Sequence, residues 1–203
     1  MADIFISYRT DDAPYEAAQL NHVLSERYGA DRVFFDLAMR PGTLGPEAIR
    51  AAMRAANVVL AVIGPRWATV TDNTGRSCLD NPEDWVRQEL STALQTGRTV
   101  IPVMLDGANF PSWDLLPADL RDIRKLQRFY LRRRSLHADH LLLAQHLEQV
   151  VPGLEPLPGV RNVREERGAD SRRSGGVTIS GGRVEAKYLA GRDIRAEHPE
   201  AKP

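Results

Sequence analysis

Apolar residues recur over residues 1–152 in two alternating patterns. Short runs rich in β-branched and aromatic residues, at positions 4–6, 33–35 and 58–63, have the length and composition of strands. Between these runs, apolar positions recur at helical spacing over 15–28 and again over 46–56. The first half of the chain is therefore predicted to alternate strand and helix. Asp11 or Asp12 is expected to cap the first helix, and Gly29 is expected to end it.

The alternation continues in the second half of this region. A helix is predicted over 82–95, strands over 100–105 and 127–131, and a closing helix over 140–151. Five strands interleaved with helices predict an α/β fold with a five-stranded parallel sheet and helices on both faces, because parallel neighbours need a crossover connection. Ligands of such sheets bind outside the carboxyl ends of the strands.

The composition changes after Pro152. Residues 153–176 are rich in Pro, Gly and charged residues with little to bury, which predicts a linker after a domain at 1–152. Residues 177–203 contain short β-prone pieces separated by glycines. An isolated hairpin of this size is marginal unless it pairs with another chain, so this tail is interpreted as either a flexible end or an assembly element.

Composition and charge exclude several classes of function. The formal net charge is zero, so no global field favours nucleic acid or an anionic membrane, and neither partner is expected. The single cysteine, Cys78, excludes an intrachain disulfide or a Cys-rich zinc site, and the five histidines are not clustered as metal ligands, so no metal is expected. No secretory signal is visible, and the longest apolar run, 58–63, is too short to span a bilayer. The chain is therefore expected in the cytoplasm.

The common nucleotide and hydrolase motifs are missing from the sequence. It contains no G-x-G-x-x-G after the first strand, no G-x-x-x-x-G-K-[ST], no H-E-x-x-H and no G-x-S-x-G. Ordinary dehydrogenases, P-loop enzymes and zincins are thereby disfavoured, and the candidate chemistry must come from polar residues at strand ends.

Trp85 and Glu89 form the most informative pair among those residues. They are four apart on a predicted helix and share one face, beside an apolar stripe of Val86, Leu90 and Leu94 that can seat the helix on the sheet. An aromatic ring beside a carboxylate suits a flat, cationic or sugar-bearing ligand. The competing interpretation is an exposed glutamate that pairs with a nearby arginine.

Four segments taken together resemble the TIR domain family, particularly its bacterial members. They are D-I-F-I-S-Y-R-T-D-D at 3–12, V-F-F-D at 33–36 with R-P-G at 40–42, V-V-L-A-V-I at 58–63 with Trp67, and D-W-V-R-Q-E-L at 84–90. They occur in order over residues 1–152. The resemblance implies a flavodoxin-like sheet. The loop Asp-Leu-Ala-Met-Arg-Pro-Gly departs from the commoner Arg-Asp-x-x-Pro-Gly form, and the tail after Pro152 lies outside the resemblance.

The resemblance also implies a site. Glu89 occupies the position of the glutamate required by TIR enzymes that cleave NAD⁺. The loop with Pro41 and Gly42 corresponds to one that mediates domain contacts and gates the nucleotide site. The residues implied to line the dinucleotide site are Tyr8, Arg9, Asp36, Arg40, Trp67 and Trp85.

Two functions follow from this resemblance. The first is an NAD⁺ glycohydrolase or ADP-ribosyl cyclase of bacterial, antiphage-type defence, activated by self-assembly, with NAD⁺ as substrate and no cofactor. The second is a noncatalytic module that recruits other TIR domains through the loop at 37–45. The complete Trp85-x-x-x-Glu89 pattern favours the enzyme.

Overall fold

The computed structural model describes residues 2–35 and 45–160, together with the backbone of 178–180 and 183–185. The chain divides into two compact units, Met1–Val160 and Arg161–Pro203. In the second unit, the strands Thr178–Ser180 and Arg183–Glu185 pair antiparallel. The third β-prone piece predicted in the tail and most of the predicted linker lie outside the described residues.

Within its described residues, the first unit contains a five-stranded sheet and four α-helices. The strands are β1 Ile4–Ser7, β2 Val33–Phe35, β3 Val58–Ile63, β4 Thr99–Leu105 and β5 Phe129–Leu131. The helices are α1 Pro14–Tyr28, α2 Pro46–Ala55, α3 Trp85–Gln95 and α4 Leu136–Val150. The strand order is β2-β1-β3-β4-β5, and every neighbouring pair is parallel. The predicted five-stranded parallel α/β sheet is confirmed.

The core consists of two apolar layers, one on each face of the sheet. Side chains alternate between the faces, so Ile4 and Ile6 pack with α1 and α4, whereas Phe5 packs with α2 and α3. All six residues of β3 are buried because helices cover both of its faces. This arrangement confirms the predicted coverage of the sheet by helices on both faces.

The strand order reverses at β1, which has β2 on one side and β3 on the other. Helices after β1 and β2 therefore lie on opposite faces, and a crevice opens between them at the carboxyl ends of the strands. Ser7 is the last residue of β1 and lies at this position. Ser7 and the side chains that face it therefore lie where ligands of such sheets bind.

The predicted cap of α1 and the predicted start of α4 are wrong, and each difference has a physical reason. Helix α1 begins at Pro14 with Ala13 at its N-cap, because the Asp12 carboxylate instead accepts the backbone N–H groups of Gly64 and Arg66 at 2.8 and 2.7 Å. Helix α4 begins at Leu136 rather than residue 140. In that first turn, Asp139 accepts hydrogen bonds from the Ser135 hydroxyl and from the Arg132 N–H.

Helix α3 begins three residues later than predicted. Asp84 is its N-cap, and its Oδ1 accepts the backbone N–H of Arg87 at 2.9 Å. This cap places Trp85 at the first helical position and Glu89 one turn further along the helix. No helix in the described part of the chain is long and apolar enough to cross a membrane.

Candidate functional site

Glu89 is a buried carboxylate held by a side chain of the central sheet. Its side chain points from α3 toward the end of β1, and the residue is only 5% exposed. The Ser7 hydroxyl donates a hydrogen bond to Glu89 Oε2 over 2.6 Å. The competing interpretation of an exposed surface glutamate is therefore wrong.

Arg9 attaches the same strand end to the start of α3. Its guanidinium makes a two-pronged ion pair with the carboxylate of Asp84, with N–O distances of 2.9 and 2.8 Å. The guanidinium also lies 5.4 Å from the ring centre of Trp67, which is 1% exposed. Because Asp84 caps α3 as well, one carboxylate fixes both the helix start and the orientation of Arg9.

Trp85 lies beside Glu89 and is covered on one side by an arginine from α2. The Arg50 guanidinium is 5.0 Å from the centre of the Trp85 ring and donates to the side-chain oxygen of Gln88 at 3.0 Å. The indole Nε1 is buried and has no hydrogen-bond partner within the described residues. A buried donor without a partner is costly, so a ligand that accepts from Nε1 would gain a hydrogen bond there.

A cleft of about 240 Å³ lies between α2 and α3 and brings these groups together; we call it the Glu89 cleft. Its walls include Arg50, Met53, Pro82, Trp85, Gln88 and Glu89. Arg87 and Asp119 also line it; Arg87 pairs with Asp119 through two hydrogen bonds and donates to the carbonyl of Leu79, which ties α3 to the segments on either side. The cleft therefore combines an aromatic ring, a guanidinium and a buried carboxylate on a rigid support.

A second cleft, of about 270 Å³, opens on the other face of the sheet, between α1 and α4; we call it the His140 cleft. Its walls include Asp12, Glu16, Asp106, Arg133, Leu136 and His140. Burial raises the pKa of Asp12, although the backbone N–H groups of Arg66 and Gly64 oppose that rise. Burial, aided by the nearby His137, lowers the pKa of His140 and so favours the neutral imidazole.

The structure places the residues implied by the resemblance in three locations. Arg9, Trp85 and Glu89 lie together on the α3 side of the sheet. Trp67 lies behind Arg9 in the core, so its ring supports that guanidinium rather than facing a ligand. Tyr8 stacks on Phe35 at 5.0 Å and packs against the opposite core layer. The remaining four, Asp36, Arg40, Pro41 and Gly42, lie outside the described residues.

Three residues of the site were missed by sequence reasoning. Ser7 and Asp84 stand in the quoted motifs but were not assigned to the site, and Arg50 was not considered. One signal for Ser7 was available, since Ser7 and Arg9 are two apart at a strand end and so share a face. No signal pointed to Arg50, because its contact with Trp85 depends on how α2 and α3 pack.

The arrangement suits stabilisation of positive charge next to a flat ring system. A carboxylate as buried as that of Glu89 interacts more strongly with a developing cation than it would in water. The indole ring offers a stacking face, and Arg50 offers a cation for a phosphate. Among the described residues, no group of three or more His, Cys, Asp or Glu side chains could hold a metal ion.

The fold and this cleft define the class of protein as a doubly wound α/β domain with a buried glutamate beside a tryptophan at the carboxyl edge of its sheet. The sequence profile described as "TIR domain" matches residues 4–142, well over half of the chain. The chain belongs to the TIR domain family, and the predicted resemblance is confirmed.

One relative of known activity is similar in sequence. The NAD(+) hydrolase tir-1 of Caenorhabditis elegans is 32% identical over 124 residues, which cover 61% of this chain and 12% of that protein. The match thus spans only a small part of the relative's length.

Three solved structures are similar to this chain at low sequence identity. The TIR domains of an activated Roq1 resistosome that directly recognises the pathogen effector XopQ are 15% identical, with a TM-score of 0.49 over 73% of this chain and 98% of that chain. The TIR domain of the Toll-related receptor TRR-2 from Hydra magnipapillata is 16% identical, with a TM-score of 0.45 over 74% and 98%. A metazoan TIR-STING receptor from C. gigas, in complex with 2′,3′-cGAMP, is 18% identical, with a TM-score of 0.46 over 77% and 41%.

Proposed function

We propose that this TIR domain cleaves the bond between nicotinamide and ribose in NAD⁺, with Glu89 as the catalytic residue. The observation that carries the proposal is a buried Glu89 carboxylate that shares a cleft with the Trp85 ring. Family membership and the similarity to an NAD(+) hydrolase over 124 residues support the assignment of the substrate.

Cleavage of the nicotinamide–ribose bond requires little acid catalysis from the protein. When the bond between ribose C1′ and the nicotinamide nitrogen breaks, the electron pair stays on nitrogen and neutral nicotinamide leaves. Positive charge then develops on the sugar, and the Glu89 carboxylate stabilises it. Water adds to C1′ and loses a proton, giving ADP-ribose; attack by a group of the same molecule would give a cyclic product instead.

The other residues of the Glu89 cleft are proposed to bind the rest of the dinucleotide. The Trp85 ring would stack on a base and donate from Nε1, while Arg50 would move from its position over the indole to a phosphate. Arg9 and Trp67 would act by holding the start of α3 in place. Tyr8, Asp36 and Arg40 remain proposals from the family resemblance alone.

The test is product analysis with the full chain. Wild type at high concentration, with and without a crowding agent, is mixed with NAD⁺, and nicotinamide and the sugar products are separated by chromatography. We expect nicotinamide release by wild type and none by Glu89→Ala, with Glu16→Ala in α1 as a matched control that stays active. Wild type that releases no nicotinamide under any of these conditions would contradict the proposal.

Self-association is proposed as the route to activation in bacterial, antiphage-type defence. The loop with Pro41 and Gly42 is the proposed contact, and the tail after the first unit is the proposed assembly element. Deleting residues 161–203 should lower both particle mass and nicotinamide release, and unchanged values for both would overturn the role of the tail. If the enzyme were silent while Pro41 or Gly42 substitutions abolished capture of another TIR domain, the noncatalytic module would be the better description.

A further inference from the structure

The end of β1 contacts α3 at two separate points. Ser7 and Arg9 are two residues apart and lie on the same side of the sheet, where Ser7 bonds to Glu89 and Arg9 pairs with Asp84. Ser7 is the last residue of β1, which lies inside the sheet between β2 and β3, and Arg9 follows in the turn after the strand, where its carbonyl accepts the N–H groups of Asp12 and Ala13.

The two contacts differ in chemistry. The contact from Arg9 is a two-pronged ion pair with the residue that also caps α3, so it fixes the position of the helix itself. The contact from Ser7 is a single hydrogen bond of 2.6 Å to Glu89 Oε2, which is the length of a strong hydroxyl-to-carboxylate bond. Both Ser7 and Glu89 are buried, so little water can replace the hydroxyl.

We infer that Ser7 is a positioning residue that sets the direction of the Glu89 carboxylate for nicotinamide–ribose cleavage. The inference rests on the function proposed above. A glutamate has three rotatable side-chain bonds, and catalysis by charge stabilisation requires its oxygens to be in place before the reaction. The Ser7 hydroxyl supplies that constraint by fixing Oε2 relative to β1.

The contact is not needed to seat α3. The Arg9–Asp84 pair and the apolar residues Val86, Leu90 and Ala93 already attach this helix to the sheet. Loss of the Ser7 hydroxyl should therefore disturb the orientation of Glu89 while the fold remains. A purely structural role would predict the reverse, namely loss of stability with unchanged kinetics in the molecules that stay folded.

The experiment measures kcat and KM for NAD⁺ with the full chain. Ser7→Ala is expected to lower kcat by about 10- to 100-fold, the effect of losing one hydrogen bond to a charged group, while KM changes by less than about threefold. Ser7→Cys, which keeps a weak donor, should give an intermediate kcat. Ser25→Ala, which removes a hydroxyl bonded within α1, is the matched control and should keep wild-type values.

Non-additivity provides a second readout. If Ser7 acts through the Glu89 carboxylate, adding Ser7→Ala to Glu89→Gln, which is expected to keep a measurable residual rate, should slow nicotinamide release much less than Ser7→Ala slows it in wild type. The inference is overturned if Ser7→Ala retains the wild-type kcat. It is also overturned if the defect of this variant appears equally as a higher KM and as a smaller folded fraction.

A failure of the proposed function can be told apart from a failure of this inference. If wild type releases no nicotinamide, the function fails, and the hydrogen bond is then tested by a double-mutant cycle of chemical unfolding with Ser7→Ala and Glu89→Gln. Measurable coupling would support the bond, whereas strictly additive effects would overturn it.

Discussion

The Glu89 cleft and the His140 cleft have similar volumes, about 240 and 270 Å³, and lie on opposite faces of one sheet. Both contain carboxylates, but the Glu89 cleft is lined mainly by residues of α2 and α3, whereas the His140 cleft includes residues at the carboxyl ends of β4 and β5. They differ in what the carboxylates are bonded to. This difference distinguishes a carboxylate that is a candidate for catalysis from carboxylates that stabilise loops of the fold.

In the His140 cleft, two carboxylates are already used to hold backbone. Asp12 accepts from Gly64 and Arg66, and Asp106 accepts the N–H of Arg133 at 2.7 Å. A side chain added at Gly64 would place its Cβ only 2.6 Å from the Asp12 carboxylate and would have to displace the acid that orders this turn. These acids order loops by accepting hydrogen bonds from backbone N–H groups.

In the Glu89 cleft, by contrast, the carboxylate is held by a side-chain hydroxyl, and the adjacent Trp85 keeps a donor without a hydrogen-bond partner among the described residues. A fold gains little by leaving a buried indole N–H in this state. This donor is the feature on which the proposed ligand contact depends, and the comparison can be tested by paired substitutions, one in each region.

The largest expected effect distinguishes Glu89 from Glu16, a carboxylate in the wall of the His140 cleft. Glu89→Gln keeps the shape of the side chain but removes its charge, so we expect nicotinamide release to fall by about 100-fold or more. Glu16→Gln in the His140 cleft should change it by less than about twofold. Steady-state rates of nicotinamide release from NAD⁺ measure both effects. Equal losses of rate in the two variants would contradict the proposed difference between the two clefts.

The next effect concerns two ion pairs with buried arginines, one on each side of the sheet. Arg9→Met and Arg27→Met each leave a partner, Asp84 or Glu148, without its guanidinium. Each should lower the free energy of unfolding by about 3 kcal/mol, measured by urea denaturation. Only Arg9→Met should also lower kcat in the folded protein, because Asp84 caps the helix that carries Glu89. A matching loss of kcat in Arg27→Met would argue against a local role for Arg9.

A smaller effect is expected at the aromatic ring. Trp85→Phe keeps a stacking face but removes the indole N–H, so KM for NAD⁺ should rise by about fivefold, the value of one neutral hydrogen bond. Trp113→Phe, at an exposed position on the surface, should leave KM unchanged. An unchanged KM in Trp85→Phe would show that Nε1 does not contact the substrate.

The smallest effect is a pH dependence of stability from the His140 cleft. The pKa of His140 is lower in the folded protein than in the unfolded chain, so below the unfolded value the unfolded chain binds a proton that the folded protein does not. The contribution of His140 to stability is therefore full at pH 7.5 and is lost as the pH falls below about 6.5. Urea midpoints at pH 7.5 and 5.5 should differ less for His140→Gln than for wild type, and exposed His22→Gln should behave as wild type. A wild-type difference retained in His140→Gln would contradict this assignment.

Sequence reasoning was most successful where the burial of side chains follows a regular pattern along the chain. The apolar run at 58–63 became the fully buried β3, and the spacing of Trp85 and Glu89 placed both on one side of α3. It was least successful where a polar side chain could bond to more than one partner. Asp12 was expected to cap α1 but instead bonds to Gly64 and Arg66, more than 50 residues away in the chain.

The sequence alone determined the alternation of strands and helices and the candidate residue Glu89, because the 2.0 and 3.6 residue periods record which faces are buried. Tertiary structure decided what Glu89 contacts. Ser7 lies 82 residues away, and it meets Glu89 because the order β2-β1-β3 brings the end of β1 under the first turns of α3. Local periodicity carries no information on strand order, so a hydrogen bond between distant elements can be identified only once the sheet is assembled.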